Sequence, residues 1–350
     1  MLTKDQLRKI RDHLEQAKNP IFYYDNDTDG LCSYVLLRKF IGRGKGVAVR
    51  SFPGIDAGYA RKALELNADY VFVLDKPMLS KEFVYKIDSL GLPIVWIDHH
   101  DVAREEFEKE FKNLFIYNPA RNSGKDKSEE PTTYLCYKIT DRKEDLWIAV
   151  VGCIADHFLP EFVDEFKENY PDFWGKVKEP FDAYYKTEIG RIAIALNFGL
   201  KDSVTHVVQL QNFLVNCKSP GEVFSEMSSN YFFRKKYLDV KRKYEDLLNR
   251  AKKFSGEKCL FFEYGGELSI SADLSNELSY LNPGKYIVVA YRNGEACNLS
   301  LRGKNVRKIF EKILKKVDGT GGGHDDAVGG RIKASNFSAF KELFEKEVGD

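Results

Sequence analysis

Long apolar runs are missing from this 350-residue sequence. No stretch approaches the ~18 uninterrupted apolar residues of a membrane span, so no membrane partner is expected. The opening MLTKDQLRKIRDHLEQAKNP lacks the apolar core of a secretory signal and reads as a charged amphipathic helix. Net charge is nearly absent too: 54 Lys and Arg stand against 53 Asp and Glu, giving +1. That balance excludes a histone-like or tail-type nucleic-acid binder but leaves room for a local basic groove. The six cysteines (Cys32, Cys136, Cys153, Cys217, Cys259 and Cys297) form no C-x-x-C pair. A zinc ribbon or a disulfide framework is therefore not expected, whereas reduced, buried thiols and a cytoplasmic location are. Internal repeats and low-complexity tracts are lacking as well, which removes solenoids and arrays.

What is present suits a folded chain of two or three domains. Hydrophobic residues make up 43 %, enough for sizeable cores, and charged residues 31 %, above the usual ~25 %. Between 19 and 117 the apolar runs IFYY, VAVRSF, YVFVL, PIVWI and LFIY alternate with amphipathic helical stretches, the last a charged helix near 103–112. This pattern predicts βαβ units and a parallel sheet covered on both faces. Segment 118–130 reads as a polar surface loop. PTTYLCYKIT and EDLWIAVVGCIADHF read as helices, and 160–255 is mostly helical. Strands return at CLFFEYG, KYIVVAY and ACNLSLR around a glycine cluster at 319–330. The expected fold class is α/β: a parallel-sheet domain (1–160), a helical region or connector (161–255) and a smaller α/β domain (256–350).

Carboxylates and imidazoles mark the ends of the predicted parallel strands, where open α/β sheets bind ligands. Asp25, Asp27 and Asp29 stand at alternate positions in DNDTDG after IFYY. Crowded acids repel one another unless a cation neutralises them. Hard oxygen donors suit Mg²⁺ or Mn²⁺. Gly30 is expected to let the chain turn tightly into the next helix. An N-capping acidic turn explains the tripeptide D-x-D equally well. Asp75 follows YVFVL, and alone it reads as a cap. Asp98-His99-His100 follows PIVWI, and the imidazoles shift the expected metal toward Mn²⁺. Asp156 ends a very apolar helix, where an unpaired buried carboxylate would be costly; the adjacent His157 reads as structural. Together these residues offer donors for two cations sharing a bridging carboxylate. Such pairs, ~3.5–4 Å apart, suit attack of an activated water on phosphorus.

In the last third, Gly319-Thr320-Gly321-Gly322-Gly323-His324 reads as a helix-breaking loop that can present backbone N–H groups to an anion. Ser300 and Arg302 at the end of a strand offer a hydroxyl and a forked guanidinium suited to phosphate.

DNDTDG, a strand-end Asp, DHH and a later helix-borne Asp, in that order, resemble the four motifs of the DHH phosphoesterase superfamily. SLR followed by GGGH-x-x-A-x-G resembles its DHH-associated C-terminal domain. The resemblance covers roughly 20–345 and is nearest to the RecJ-like single-strand nucleases of a compact archaeal type. It implies two lobes with the active site in the cleft between them. Asp25, Asp27 and Asp75 would hold one Mn²⁺, and Asp29, Asp75, His99 and Asp156 the other, with Asp75 bridging and Mg²⁺ as the substitute ion. Asp98 would orient the histidines, and His100 would contact the scissile phosphate. Ser300, Arg302, Gly322, Gly323 and His324 would hold a further substrate phosphate.

The expected activity is that of a manganese-dependent phosphodiesterase, an exonuclease of single-stranded DNA or RNA. One alternative is an oligoribonuclease or phosphoadenosine-phosphate phosphatase acting on very short substrates. Another is a scaffold subunit of a replication complex, and a pyrophosphatase is a minor option. The partners implied are single-stranded nucleic acid or short oligonucleotides, with a helicase or a replication or repair protein beside them.

Overall fold

Apolar runs that end in an acid become the parallel strands of the first half. The computed structural model describes residues 1–51, 54–102, 105–122, 130–254 and 256–349. The chain divides into two units, Met1–Tyr237 and Leu238–Asp350. In the first, β1 (Pro20–Asp25), β2 (Lys45–Val49), β3 (Gly54–Ile55), β4 (Tyr70–Leu74), β5 (Met78–Leu79), β6 (Ile94–Ile97) and β7 (Leu114–Tyr117) follow in order. The main sheet runs β2-β1-β4-β6-β7, every pair parallel, and β3 with β5 forms a two-stranded ribbon. Ile21, Tyr23, Val71, Val73, Ile94 and Trp96 pack on one face against Phe83, Val84 and Ile87. The opposite face carries the buried rings of Phe22, Tyr24 and Phe72, with Tyr34 of helix Thr28–Ile41 stacked on Tyr24. Each such side chain contributes roughly 1.5–3 kcal/mol by leaving water.

Two expectations shift here. β2 starts at Lys45 and stops at Val49, because its pairing with β1 ends where Asp25 meets Val49; Phe52, assigned to that strand from sequence, lies outside the described residues. The charged helix expected near 103–112 is a single 3-10 turn, Glu106–Lys109, among the described residues. Glu108 of that turn accepts from Arg121 Nη2 at 3.0 Å, a tertiary tie that local periodicity does not carry. Of the expected loop 118–130, residues 123–129 lie outside the described set.

The first unit continues through helices Thr132–Thr140, Leu146–Ala155, Val163–Asn169, Pro180–Lys186, Glu188–Gly199 and Val204–Asn216. Helix Tyr231–Ala251 then runs on into the second unit.

The second unit holds β8 (Cys259–Gly265), β9 (Tyr286–Asn293), β10 (Ala296–Arg302), β11 (Gly319–His324) and β12 (Ala327–Lys333). They form one mixed sheet in the order β11-β12-β10-β9-β8, parallel only at β8–β9. Phe310 and Ile313 of helix Val306–Leu314, with Phe340 and Phe344 of helix Phe337–Val348, close one face over Leu299, Leu301, Val328 and Ile332. Helix Ser271–Leu281 lies against β9 and β10.

GTGGGH is therefore a strand, not the loop that its glycines suggest. Its register explains why: Gly321 pairs with Gly330, and Gly322 with Gly329. A Cβ on Gly321 or Gly330 would come within 2.8 or 2.3 Å of the Phe310 ring, so that ring fills the volume the side chains lack. All six cysteines are free and buried. Among the described residues, no helix is long and apolar enough to cross a membrane.

Candidate metal centre and phosphate face

Register lines up the acids. Tyr24, Leu74, Ile97 and Tyr117 form one row across β1, β4, β6 and β7, so Asp25, Asp75, Asp98 and Asn118 stand one position beyond it at the carboxyl edge. Counting only the main-sheet strands, their order is 2-1-3-4-5, and the chain reverses its direction of travel between β1 and β4. Such a switch point opens a crevice beyond the strand ends. Asp25, Asp27 and Asp29 border it from one side and Asp75 from the other.

Asp27 caps helix Thr28–Ile41, its Oδ1 accepting from the Gly30 N–H at 2.9 Å. The capping role and the cluster role thus coincide in one residue. Gly30 does not turn the chain. It sits inside the helix, where a Cβ would lie 2.5 Å from the Asp25 carbonyl oxygen. Its bareness is what lets the helix start against the end of β1.

His99 is the centre of the cluster. Its Nε2 lies 3.5 Å from Asp75 Oδ1 and 3.6 Å from Asp156 Oδ2. Donor atoms of Asp29, His99 and Asp156 lie within 4.8 Å of one another, as do those of Asp75, His99 and His100. Asp156 closes helix Leu146–Ala155 as its C-cap and keeps 43 % of its side chain exposed. It is not the fully buried carboxylate that the apolar helix suggests. His157 turns away at φ 55° and stacks on Phe181.

The acids strain against one another. Burial, then the charges of Asp29, Asp27, Asp25 and Asp156, push the Asp75 carboxyl far above its usual range. Asp29 is raised first by burial, against the hydrogen bonds it accepts. Desolvation and the charges of Asp25 and Asp29 push Asp27 up to about 7; this residue is exposed to solvent, so repulsion carries more of that rise than burial does. Asp156 is raised as well, by desolvation and by the charges of Asp29 and Asp27; exposed like Asp27, it owes more of the rise to repulsion than to burial. A hard divalent cation fits this donor set, because it supplies the countercharge that the carboxylates and the imidazole lack.

Asp98 stands apart, fully buried. Its Oδ1 lies 2.8 Å from His100 Nδ1, and its Oδ2 accepts from the His100 N–H and from Asn118 Nδ2. Burial lowers the His100 pKa, but the bond to Asp98 and the charges of Asp98, Asp156 and Asp27 outweigh it and raise the ring to about 9.

Sequence reasoning missed four supports. The N–H groups of Thr132 and Thr133 at the start of helix Thr132–Thr140 donate to both oxygens of Asp29, at 2.9 and 2.7 Å. Asp29 thereby caps a helix a hundred residues away, the placement that a helix N-terminus favours for an anion. The Thr132 hydroxyl donates to Asp75 Oδ1 at 3.1 Å. Gly152 makes room for Thr133, whose Oγ1 would sit 2.2 Å from a Cβ there. Lys76, wholly buried, places Nζ 2.9 Å from Asp25 Oδ1. No local motif announces any of these; only a hydroxyl pair after Pro131 hints at a helix start.

In the second unit, cross-strand register sets Gly322, Gly329 and Ser300 in one row and His324, Ala327 and Arg302 in the next, all on one face. Gly323 faces the other way, at φ 151°. Nothing lies within 4 Å of a Cβ built on Gly322 or Gly329, so backbone lies bare there. Ser300 Oγ donates to Ser271 Oγ at 3.2 Å, and Arg302 Nε donates to Asn276 Oδ1 at 2.6 Å. A hydroxyl, a guanidinium and an imidazole thus border a strip without side chains.

Residues 258–350 match the DHHA1 domain family. No curated protein matches the chain. Among solved structures, RecJ from Thermus thermophilus in complex with Mn²⁺ is similar at TM-score 0.68 and 14 % identity, over 99 % of this chain and 54 % of that one. An exonuclease RecJ bound to manganese is similar at TM-score 0.67 and 16 % identity, over 100 % and 95 %. The DHH domain of a member of a ribosomal-protein family is similar at TM-score 0.69 and 15 % identity, over 98 % and 89 %. The chain spans about half the length of the Thermus RecJ. Residues 258–350 are thus a DHHA1 domain, and the chain as a whole has the fold of the RecJ-like DHH proteins.

Proposed function

We propose that the protein is a RecJ-like DHH phosphoesterase, a Mn²⁺-dependent exonuclease that hydrolyses single-stranded DNA or RNA. The observation that carries this reading is the gathering of Asp29, Asp75, His99 and Asp156 beyond the switch point of the parallel sheet. The likeness to two manganese-bound RecJ structures and the DHHA1 domain support it. These four residues would hold the ion, and mixed oxygen and nitrogen donors favour Mn²⁺ with Mg²⁺ as substitute. When bound, such an ion supplies Lewis acidity that acidifies water and offsets charge on phosphate.

The chain's own residues do the rest. Asp98 accepts a hydrogen bond from His100 Nδ1, which fixes the ring so that Nε2 is the nitrogen turned to substrate. With its pKa raised to about 9, the ring is cationic at neutral pH and donates to an oxygen of the scissile phosphate. Thr132 and Thr133 keep Asp29 and Asp75 from drifting when the charge in the site changes. Ser300, Arg302 and His324, with the backbone of Gly322 and Gly323, hold a further phosphate of the strand.

The test is a digestion time course with 5′- and 3′-labelled single-stranded DNA and RNA of graded length, in Mn²⁺ and in Mg²⁺. Stepwise release of mononucleotides, lost in Asp156→Ala and His99→Ala, is the expected result. Equal turnover by the wild type and both variants overturns the site. Cleavage confined to substrates of a few nucleotides replaces the exonuclease with an oligonucleotidase.

A further inference from the structure

The motif order expects a second ion among Asp25, Asp27 and Asp75, but the structure puts a lysine beside Asp25. Lys76 is wholly buried, with Nζ 2.9 Å from Asp25 Oδ1 and 3.0 Å from the Ser51 carbonyl oxygen. Its own carbonyl accepts from Trp96 Nε1 at 2.8 Å. The residue before it, Asp75, takes the left-handed backbone at φ 59°. Aspartate is one of the few non-glycine residues that take this conformation readily. The turn out of β4 sends the ammonium inward. Buried lysines persist only where they are paired. Asp25 is the pair, and it is steadied in turn by the Asn26 N–H at 2.8 Å.

A second observation points the same way. Among the described residues, both donor groups close enough to share a cation centre on His99, and neither contains Asp25 or Asp27. An ammonium and a divalent ion on the same carboxylate would repel each other strongly in so enclosed a place. Lys76 Nζ and the Asn26 N–H both take up Asp25 Oδ1, so that oxygen is already supplied with donors.

We propose that Lys76 is a built-in cation at the Asp25 end of the cluster, so that this chain takes one divalent ion, at Asp29, Asp75, His99 and Asp156, rather than two. The inference rests on the reading that the His99 cluster binds a divalent ion. Lys76 is then a positioning residue. It holds Asp25 in place and offsets negative charge beside Asp75, permanently and without a second ion.

The test counts ions and does not depend on turnover. Full-length wild type, Lys76→Arg and Lys76→Met are titrated with Mn²⁺ by calorimetry, with metal analysis after dialysis. Paramagnetic resonance of the loaded proteins separates a lone Mn²⁺ from an exchange-coupled pair. The expected result is one ion per chain with an uncoupled spectrum for wild type and Lys76→Arg, and two ions with a coupled spectrum for Lys76→Met. Circular dichroism checks the fold of each variant. If Lys76→Met does not fold, the wild-type count still decides. Two coupled ions in the wild type overturn the role of Lys76 and leave the phosphoesterase reading standing. A folded Lys76→Met that still holds a single ion also overturns that role. No ion bound by any form overturns both readings.

Discussion

At the carboxyl edge of β1, β4 and β6 acidic side chains crowd together, whereas at Gly322 of β11 and Gly329 of β12 side chains are missing. The first region gains its chemistry from repulsion: Asp27, Asp29, Asp75 and Asp156 are all pushed up in pKa, which is stored affinity for a cation. The second gains its chemistry from bareness: Gly322 and Gly329 leave backbone open between Ser300, Arg302 and His324. The comparison teaches that one region is tuned by what its side chains carry, and the other by the space they do not fill. Substitutions should therefore fail for different reasons in the two places.

The largest expected effect is in the acidic region. Asp75→Asn removes a carboxylate that touches both His99 and Thr132, and initial rates in Mn²⁺ should fall on the order of 10²–10³-fold. A rate within a few-fold of wild type would break the contrast at its stronger end.

Stability should follow the same charges. The four acids have folded pKa values above the ordinary 3.8, Asp27 at about 7. The ion-free folded protein thus holds more protons than the unfolded chain. Its stabilisation is complete below the ordinary value and is lost as pH rises through about 7. His100, raised to about 9, adds a loss in the same direction at higher pH. The melting temperature without metal should be higher near pH 5 than near pH 8. Mn²⁺ at about 100 times its Kd should restore ~2.7 kcal/mol at the higher pH, roughly 5–10 °C for a unit of this size, and less at the lower pH. A Tm that rises with pH in chelator would contradict the assignment.

Asp98→Asn tests the support of His100. It should lower kcat about 10–100-fold and move the alkaline limb of the pH–rate profile, because the ring loses its charged partner. An unmoved limb would leave Asp98 a purely structural acid.

The smallest effects sharpen the glycine side. Gly330→Ala drives a methyl group into Phe310 and should cost about 1–3 kcal/mol in denaturant melts. Gly322→Ala meets nothing and should stay within about 0.5 kcal/mol of wild type, yet raise KM. If the two alanines behave alike, the bare strip is only a packing device.

The acids that end apolar runs were legible because the runs themselves are: YVFVL, LFIY, CLFFEYG and ACNLSLR are strands with the bounds their composition suggests. What escaped depends on partners distant in sequence. Thr132 and Thr133 serve Asp29 across a hundred positions, and local periodicity carries no such information. Lys76 looks like an ordinary surface lysine until the turn at Asp75 folds it inward. The GTGGGH strand defied its composition because glycine's poor strand preference is overridden by Phe310 and by pairing with β12. Asp156 was expected under apolar cover, but a C-cap lies where the helix stops and solvent begins.

The vacant positions at Gly322 and Gly329 have a practical consequence. Since neither would collide with its surroundings on gaining a Cβ, residues of increasing bulk can be installed there as calibrated spacers. A series from alanine through valine to phenylalanine would turn the molecule into a feeler gauge, reporting how much bulk the face accepts before KM for a test oligonucleotide rises.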